Sequence, residues 1–206
     1  MQPEGAAIRR NDADRFVVAR LRDAGVVCGS VWDFVTGATP AAAVPVLLEL
    51  LDVVEEEMIL QGIVRALRTK AAKGRAEEPL IALFRQLPST TSPGLKWAIA
   101  NTLGGLDRQR YARELLELAL DSVHGTDRQM IVDALSTLKG GHITDALISL
   151  LDDDDVSGHA IGALRQRHAK EAIPVLKTFE GHPNAWKRRS AARAVKAIIS
   201  YHSTRH

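Results

Sequence analysis

The sequence predicts an all-α protein arranged as an α-solenoid of antiparallel helix pairs. Two kinds of apolar segment alternate along the chain, and each kind recurs at intervals of 29 to 36 residues; such a period is typical of helical repeat proteins. Within each segment the apolar residues fall at i, i+3, i+4 and i+7, which is the spacing of an amphipathic helix. No segment alternates apolar and polar residues as a half-buried strand does, so no sheet is expected.

Composition and charge exclude several other classes of protein. Of 206 residues, 46% are hydrophobic and 25% are charged, and the formal net charge is +2; these values are average for globular proteins and unlike those of disordered or collagen-like chains. The longest apolar run, residues 41–48, contains a proline and is far shorter than the roughly 20 residues that span a bilayer. The start of the chain lacks the apolar core of a secretory signal. The single cysteine, Cys28, cannot form an internal disulfide, which favours a reducing compartment. We therefore predict a cytoplasmic protein with no membrane segment.

The first 40 residues are predicted to form two helices that cap the solenoid. Asn11 is a candidate N-cap for a helix from Asp12 to about Ala24, which Gly25 would end. Ser30 is a candidate cap for a short helix through Val35. Residues 11–40 are therefore assigned to N-terminal capping helices within a single domain that spans residues 1–206.

About five helix pairs are predicted over residues 42–201. The first helices of the pairs begin near Pro45, Pro79, Arg113, Asp145 and Pro174. The second helices each end at an apolar anchor residue, and these anchors are Leu67, Leu103, Leu135, Leu164 and Val195. In every copy the residues four and three positions before the anchor are apolar, so we expect them to face the interior together with the anchor.

The clearest family signal runs from the fourth pair into the fifth, in Leu150-Leu-Asp-Asp-Asp-Asp-Val156, Ala163-Leu164 and Glu171-Ala-Ile-Pro-Val-Leu176. With paired helices and a period of about 30 residues, the chain resembles the HEAT repeat family, particularly the short HEAT-like repeats first associated with phycobilisome lyases. The resemblance covers roughly residues 42–200. It implies a HEAT-like superhelix, but it implies no single function, because a fold does not fix an activity.

One position of the second helices departs from the family pattern in some copies. In HEAT-like repeats this helix usually opens with Val-Arg. A basic residue stands seven positions before the anchor in three copies, as Lys96, Arg128 and Arg188, whereas Leu60 and Ser157 replace it in the other two. The repeats are therefore degenerate.

The candidate partner-binding surface is a row that we call the polar stripe. It consists of positions −9, −6, −2 and +1 relative to each anchor, which lie together opposite the apolar face and are predicted to line the concave side. Its candidate binding residues are Arg65, Trp97, Asn101, Asp133, Trp186, Arg189, Arg193 and Lys196. Tryptophan and arginine are enriched among interface hot spots. The alternative for either tryptophan is packing into the neighbouring repeat.

Two further features of the stripe each have two interpretations. Gly158 and Gly162 form either a notch for a partner or a close contact between adjacent helices. Residues 165–206 carry a net charge of +8, and Trp186 shares a helix face with Arg189, Arg193 and Lys196. This arrangement suits phosphate contact and base stacking, but a terminal repeat also needs a polar outer face for solubility.

No catalytic, metal or cofactor site is predicted. The run Asp152–Asp155 beside His159 lacks the spacing of a calcium loop and is better explained by helix capping. The HEAT-like deoxyhypusine hydroxylases bind metal through His-Glu pairs. The histidines of this chain form no such pair, so that enzyme class is not predicted. No glycine-rich phosphate loop, serine elbow or zinc spacing is present.

The leading functional prediction is a non-enzymatic scaffold that binds a partner protein or peptide on its concave surface. A second hypothesis is nucleic-acid binding, related to the HEAT-like alkylpurine DNA glycosylases, with Trp97, Asp133, Trp186, Arg189 and Arg193 as the candidate residues. A third, which the repeat resemblance implies, is a bilin lyase or a chaperone-like protein.

Overall fold

The computed structural model describes residues 3–88 and 93–204, and all regular secondary structure in those ranges is helical, which confirms the all-α prediction. Twelve α-helices lie within these residues, and short 3₁₀ turns connect several of them. The helices are α1 Pro3–Asp23, α2 Asp33–Thr36, α3 Ala43–Leu50, α4 Glu57–Ala66, α5 Glu77–Gln86, α6 Pro93–Leu103, α7 Ala112–Leu120, α8 Gln129–Ala134, α9 Gly141–Ser149, α10 Ser157–Gln166, α11 Ile173–Thr178 and α12 Ala185–Ser203.

The chain divides into two compact units, Met1–Asp107 and Arg108–His206. In the first unit α3 packs against α4, α5 packs against α6, and α4 packs against α6. Helix α1 covers α3 and α4, and α2 also rests on α4. Both predicted anchors of this unit, Leu67 and Leu103, are buried, as are the apolar residues three and four positions before each of them.

Helix α1 begins earlier than the sequence analysis predicted. It starts at Pro3, so Asn11 lies inside the helix and is not its N-cap. The predicted end is confirmed: Gly25 has a φ of +77°, and its N–H donates to the carbonyl of Arg22 at 2.8 Å while that of Val26 donates to Leu21 at 2.9 Å. This pair of bonds is a Schellman motif, which needs a left-handed residue and therefore favours glycine.

In the second unit the same pairing recurs. Helix α7 packs against α8, α9 against α10, and α11 against α12. Helix α10 also packs against α8 on one side and α12 on the other. The anchors Leu135 and Leu164 are fully buried.

The last pair deviates from the predicted burial. Ala192 is exposed and the anchor Val195 is only half-buried, although both were expected to face the interior. Within residues 3–88 and 93–204 no other helix covers that side of α12. The two side chains instead line an apolar groove of about 370 Å³ beside Leu176 and Ile199.

None of the helices in the described ranges is both long enough and apolar enough to cross a membrane.

Candidate functional site

The predicted binding residues fall into both units. Arg65 lies on α4, and Trp97 and Asn101 lie on α6, so these three belong to the first unit. Asp133 lies on α8, and the four C-terminal candidates lie on α12, all in the second unit.

Helices α4 and α6 approach each other closely because a glycine faces the contact. A Cβ atom on Gly94 would lie 2.6 Å from Nε2 of Gln61, so a larger residue there would displace the glutamine. The Thr102 hydroxyl donates to the carbonyl of Val64 at 3.1 Å and ties the two helices together. As a consequence Gln61, which was predicted to lie on the open stripe, is buried at 8% exposure.

Arg65 and Trp97 meet across this helix contact. The Cζ atom of Arg65 lies 5.4 Å from the centroid of the Trp97 ring, which is within cation–π distance. Trp97 remains 38% exposed, so part of its ring is open to a partner. Asn101 follows Trp97 by one helical turn on the same face and is half-buried.

A pocket of about 320 Å³ opens next to this pair. Phe34, Val35 and Thr39 form one wall, and Arg65, Arg68 and Asn101 form the other. The loop of the first wall is fixed by the Thr39 hydroxyl, which donates to the carbonyl of Ala66 at 2.7 Å. The residues that line the pocket include no carboxylate.

Arg65 holds a polar atom that the rest of the site leaves unsatisfied. Its Nε is buried, and no acceptor within the described ranges receives its hydrogen. A buried donor without a partner costs roughly 1–3 kcal/mol, and more when it is charged. A ligand whose acceptor reached this atom would therefore remove that cost, and its binding would be favoured by a similar free energy.

In the second unit Trp186 packs partly on a glycine. A Cβ atom on Gly158 would lie 2.7 Å from Cζ3 of the Trp186 ring, so the ring lies directly over the α10 backbone. Nothing lies within 4 Å of the corresponding position on Gly162. A small notch of about 140 Å³ remains there, bordered by Arg165 and Arg193. The two interpretations of the glycines thus apply to different residues: Gly158 makes a close contact and Gly162 leaves a notch.

Trp186 is nevertheless 50% exposed. The other three candidates on α12, Arg189, Arg193 and Lys196, are also exposed. Arg193 makes a hydrogen bond of 3.2 Å to the Ser190 hydroxyl on its own helix. The Asn184 side chain caps α12 and accepts from the N–H groups of Trp186 and Lys187.

The remaining two cations of this helix have structural roles. Lys187 is buried, and its ammonium lies 2.6 Å from Oδ1 of Asp154. Hydrogen bonding and the positive charge of Lys187 lower the pKa of Asp154. The Arg188 guanidinium donates to the carbonyls of His182 and Pro183, at 2.6 and 3.0 Å. Of the five Lys and Arg side chains on α12, only Arg189, Arg193 and Lys196 are therefore exposed to a ligand.

Asp133 is exposed on α8 and faces His159 of α10 closely enough to influence it. Burial lowers the pKa of His159, and the Asp133 charge raises it by a smaller amount. Asp133 is thus a neighbour of α10 in the second unit, and its place in a partner site stays a prediction.

The aspartate run contributes ion pairs within the second unit. Asp153 pairs with Arg128, and its Oδ1 accepts from the N–H of Asp155 at 3.0 Å. Asp154 pairs with Lys187. Helix α10 begins at Ser157 without a side-chain cap, so these carboxylates bind cations of other segments and do not cap the helix. Within residues 3–88 and 93–204 no group of three or more His, Cys, Asp or Glu side chains is placed to hold a metal ion.

The basic position seven residues before the anchor is structural in the copies that have it. Lys96 is fully buried, with its ammonium 5.1 Å from the centroid of the Phe84 ring. Arg128 is 1% exposed and donates to the carbonyls of Gly125 and Ala119 at 3.1 and 2.8 Å. The sequence showed the periodicity of this position, but not that Lys96 and Arg128 are buried.

The chain matches no protein-family model, no curated protein and no solved structure.

Sequence reasoning missed the pocket beside Arg65. One wall of this pocket comes from residues 34–39, which were assigned only a capping role. The other wall includes Arg68, which was not among the candidate binding residues. One signal was present in the sequence: Arg65 and Arg68 hold positions −2 and +1 relative to the anchor Leu67, so both belong to the polar stripe.

Proposed function

We propose that the protein is a non-enzymatic α-solenoid scaffold with HEAT-like repeats, which binds a partner protein or peptide on a concave surface formed by the polar stripe. The observation that carries this proposal is the pair of Arg65 and Trp97, an exposed aromatic ring with a cation at its face. Asn101 adds an amide on the same helix face. Aromatic anchors surrounded by polar groups are typical of interface hot spots.

The packing within each unit supports the solenoid part of the proposal. The second helices of successive pairs are neighbours, α4 with α6 in the first unit and α8, α10 and α12 in the second. Each of these helices also packs against the first helix of its own pair. A stack of such pairs leaves one side of the second helices open for binding.

The experiment that tests this function is a display selection of peptides on the full chain, followed by affinity measurement for the selected peptides. Trp97→Ala is expected to weaken binding at least about 30-fold, which corresponds to the roughly 2 kcal/mol that defines a hot spot. Phe16→Ala is the matched control, because Phe16 is an aromatic side chain of the same unit with a similar exposure of 43%.

The control should bind the selected peptides with nearly the affinity of the unaltered chain. Equal losses in the two variants would contradict a specific role for Trp97. Thermal unfolding of both variants separates binding from folding: truncation of a buried core tryptophan costs about 3–5 kcal/mol, so a large fall in melting temperature for Trp97→Ala alone would remove the ring from the site.

Nucleic-acid binding is a second candidate, and the row on α12 favours it. Trp186 is half-exposed and can stack on a base, and Arg189, Arg193 and Lys196 are exposed on the same helix. Stacking on an aromatic ring beside a basic row is the usual mode of single-strand binding.

A labelled single-stranded oligonucleotide tests this candidate. Three phosphate contacts would give a slope of log K against log salt of about −2. The double variant Arg189→Glu/Arg193→Glu should abolish binding, whereas the exposed pair Lys170→Glu/Lys177→Glu makes the same change in charge and should only weaken it. No binding at low salt would eliminate this candidate.

A further inference from the structure

We infer that the pocket beside Arg65 binds an oxyanion, supplied by an acidic or phosphorylated side chain of a partner peptide. The inference rests on the proposed function for the nature of the partner. The pocket itself is accessible to small probes, so it can be tested separately.

The first argument is the unbalanced charge of the pocket. Arg65 and Arg68 both line it, and the lining contains no carboxylate. Within the described part of the chain neither guanidinium has a hydrogen bond or an ion pair. Two neighbouring cations without a counter-charge in a concave site attract an anion, because the low-dielectric walls concentrate their field.

The second argument is the unsatisfied Nε of Arg65, a buried atom of a residue that lines this pocket. The guanidinium presents several N–H donors in a fixed fork, and this fork matches the two oxygens of a carboxylate or of a phosphate. An oxyanion in the pocket would supply the acceptor that the described residues lack. The Asn101 side chain also lines the pocket and can donate a further hydrogen bond.

The third argument is that the surroundings hold the cations in place. The Arg65 guanidinium rests against the Trp97 ring. Arg68 lies over Gly105, where a Cβ atom would be 2.5 Å from its Nε. The glycine therefore allows the Arg68 side chain to lie close to the chain just after α6.

The fourth argument is size. The volume of about 320 Å³ is at the lower end for ligand pockets. It accommodates one side chain and leaves the neighbouring residue of the peptide to contact the exposed part of Trp97. The recognised segment would therefore place an acidic or phosphorylated residue next to an apolar one.

The experiment is a titration of the full chain at low ionic strength, followed by NMR of the arginine Nε–H and tryptophan indole N–H signals. The probes are N-acetyl-glutamate amide, N-acetyl-glutamine amide and N-acetyl-phosphoserine amide. We expect saturable shifts of the Arg65 Nε–H and Trp97 indole signals with at least one anionic probe and none with the glutamine probe. Saturation by the glutamate probe identifies an acidic side chain as the source, and saturation by phosphoserine alone identifies a phosphorylated one.

Arg68→Gln is the main variant, because Arg68 is exposed and substitutions at exposed positions usually change stability by less than about 0.5 kcal/mol. It should weaken binding of the anionic probe at least tenfold. Arg75→Gln removes an equally exposed positive charge of the same unit outside the pocket, and it should change binding less than twofold. Equal effects of the two variants, equal binding of the glutamine probe, or the absence of saturable shifts would each overturn the inference.

The outcomes also separate this inference from the proposed function. If the pocket binds the anionic probe but Trp97→Ala does not weaken partner binding, the pocket inference stands and the proposed scaffold site is refuted. If Trp97→Ala weakens partner binding but the pocket binds no anionic probe, the proposed scaffold site stands and the pocket inference is refuted.

Discussion

At the level of single residues, the basic side chains of this protein divide into buried and exposed groups with different roles. Arg128 and Arg167 join segments of the second unit. Arg167 donates to the carbonyls of Leu135 and Gly140, both at 3.1 Å, and burial lowers its pKa. Such arginines replace the hydrogen bonds that the ends of short helices lack.

We predict that Arg128→Leu destabilises the protein by about 3 kcal/mol, because it removes the ion pair with Asp153 and the guanidinium that donates to two carbonyl groups. Urea unfolding provides the measurement. Arg165→Leu is the control, since Arg165 is exposed in the same unit, and its effect should stay within about 0.5 kcal/mol. Similar losses in both variants would show that the buried guanidinium has no special role.

His159 should make stability depend on pH. Burial lowers its pKa from 6.5, so the folded imidazole resists protonation while the unfolded one binds a proton as the pH falls through about 6.5. The free energy of unfolding contributed by this group is therefore complete above that pH and declines below it.

The expected result is a smaller loss of stability between about pH 7.5 and pH 5.5 in His159→Gln than in the unaltered chain. Urea unfolding at the two pH values measures it. His142→Gln, which removes an exposed imidazole, should leave the loss unchanged. If His159→Gln also leaves it unchanged, the burial of His159 has no energetic consequence.

At the level of helices, glycines decide how closely neighbours pack. The contacts at Gly94 and Gly158 each bring a polar or aromatic side chain against the backbone of the adjacent helix. Gly162, one turn after Gly158 on α10, has open space instead. The two positions of α10 therefore form a natural comparison.

Gly162→Ala should stabilise the protein by about 0.5–1 kcal/mol, because alanine has the higher helix propensity and its methyl group meets no atom. Gly158→Ala should gain less or lose stability, because its methyl group displaces the Trp186 ring. Chemical unfolding compares the two, and tryptophan fluorescence detects the displaced ring. An equal gain in both variants would show that the ring moves aside without cost.

The sequence predicted the helical elements better than their ends or their polar contacts. Apolar periodicity identified the second helices, because burial against a neighbour dominates their pattern. It gave the wrong environment for Ala192, since periodicity identifies an apolar face but not whether anything covers it. The start of α1 was also missed. Asparagine is a common N-cap residue, so Asn11 was taken as the cap although it lies inside the helix.

The candidate site was predictable only in part. The spacing from the anchors placed Trp97 and Trp186 at exposed positions. The same spacing placed Gln61 on the open stripe, but the glycine on the facing helix lets that helix cover it. The pocket depends on the loop after α2, and a loop without periodicity has no position that sequence alone can assign.

At the level of the whole molecule, the two compact units each have their own buried residues. The first unit has Leu47, Ile63 and Ile99 at its centre, and the second has Ile131 and Leu164, all fully buried. Units with separate cores can unfold in separate steps even when one chain carries both.

We therefore predict two groups of protected amides in native-state hydrogen exchange at increasing urea concentration. The amides of α4 and α6 should follow one unfolding curve, and those of α10 and α12 should follow another. Mass spectrometry of peptides from the full chain reports both at once. A single curve for all four helices would indicate one cooperative domain over residues 1–206.

The contact between Gly158 and Trp186 also constrains how this sequence can change in evolution. A larger residue at 158 meets the ring at 2.7 Å, so that substitution becomes neutral only after Trp186 has been replaced by a smaller side chain. The reverse order passes through a strained intermediate. The two positions are 28 residues apart in sequence, yet they should drift together in descendants of this chain, with glycine retained wherever the tryptophan persists.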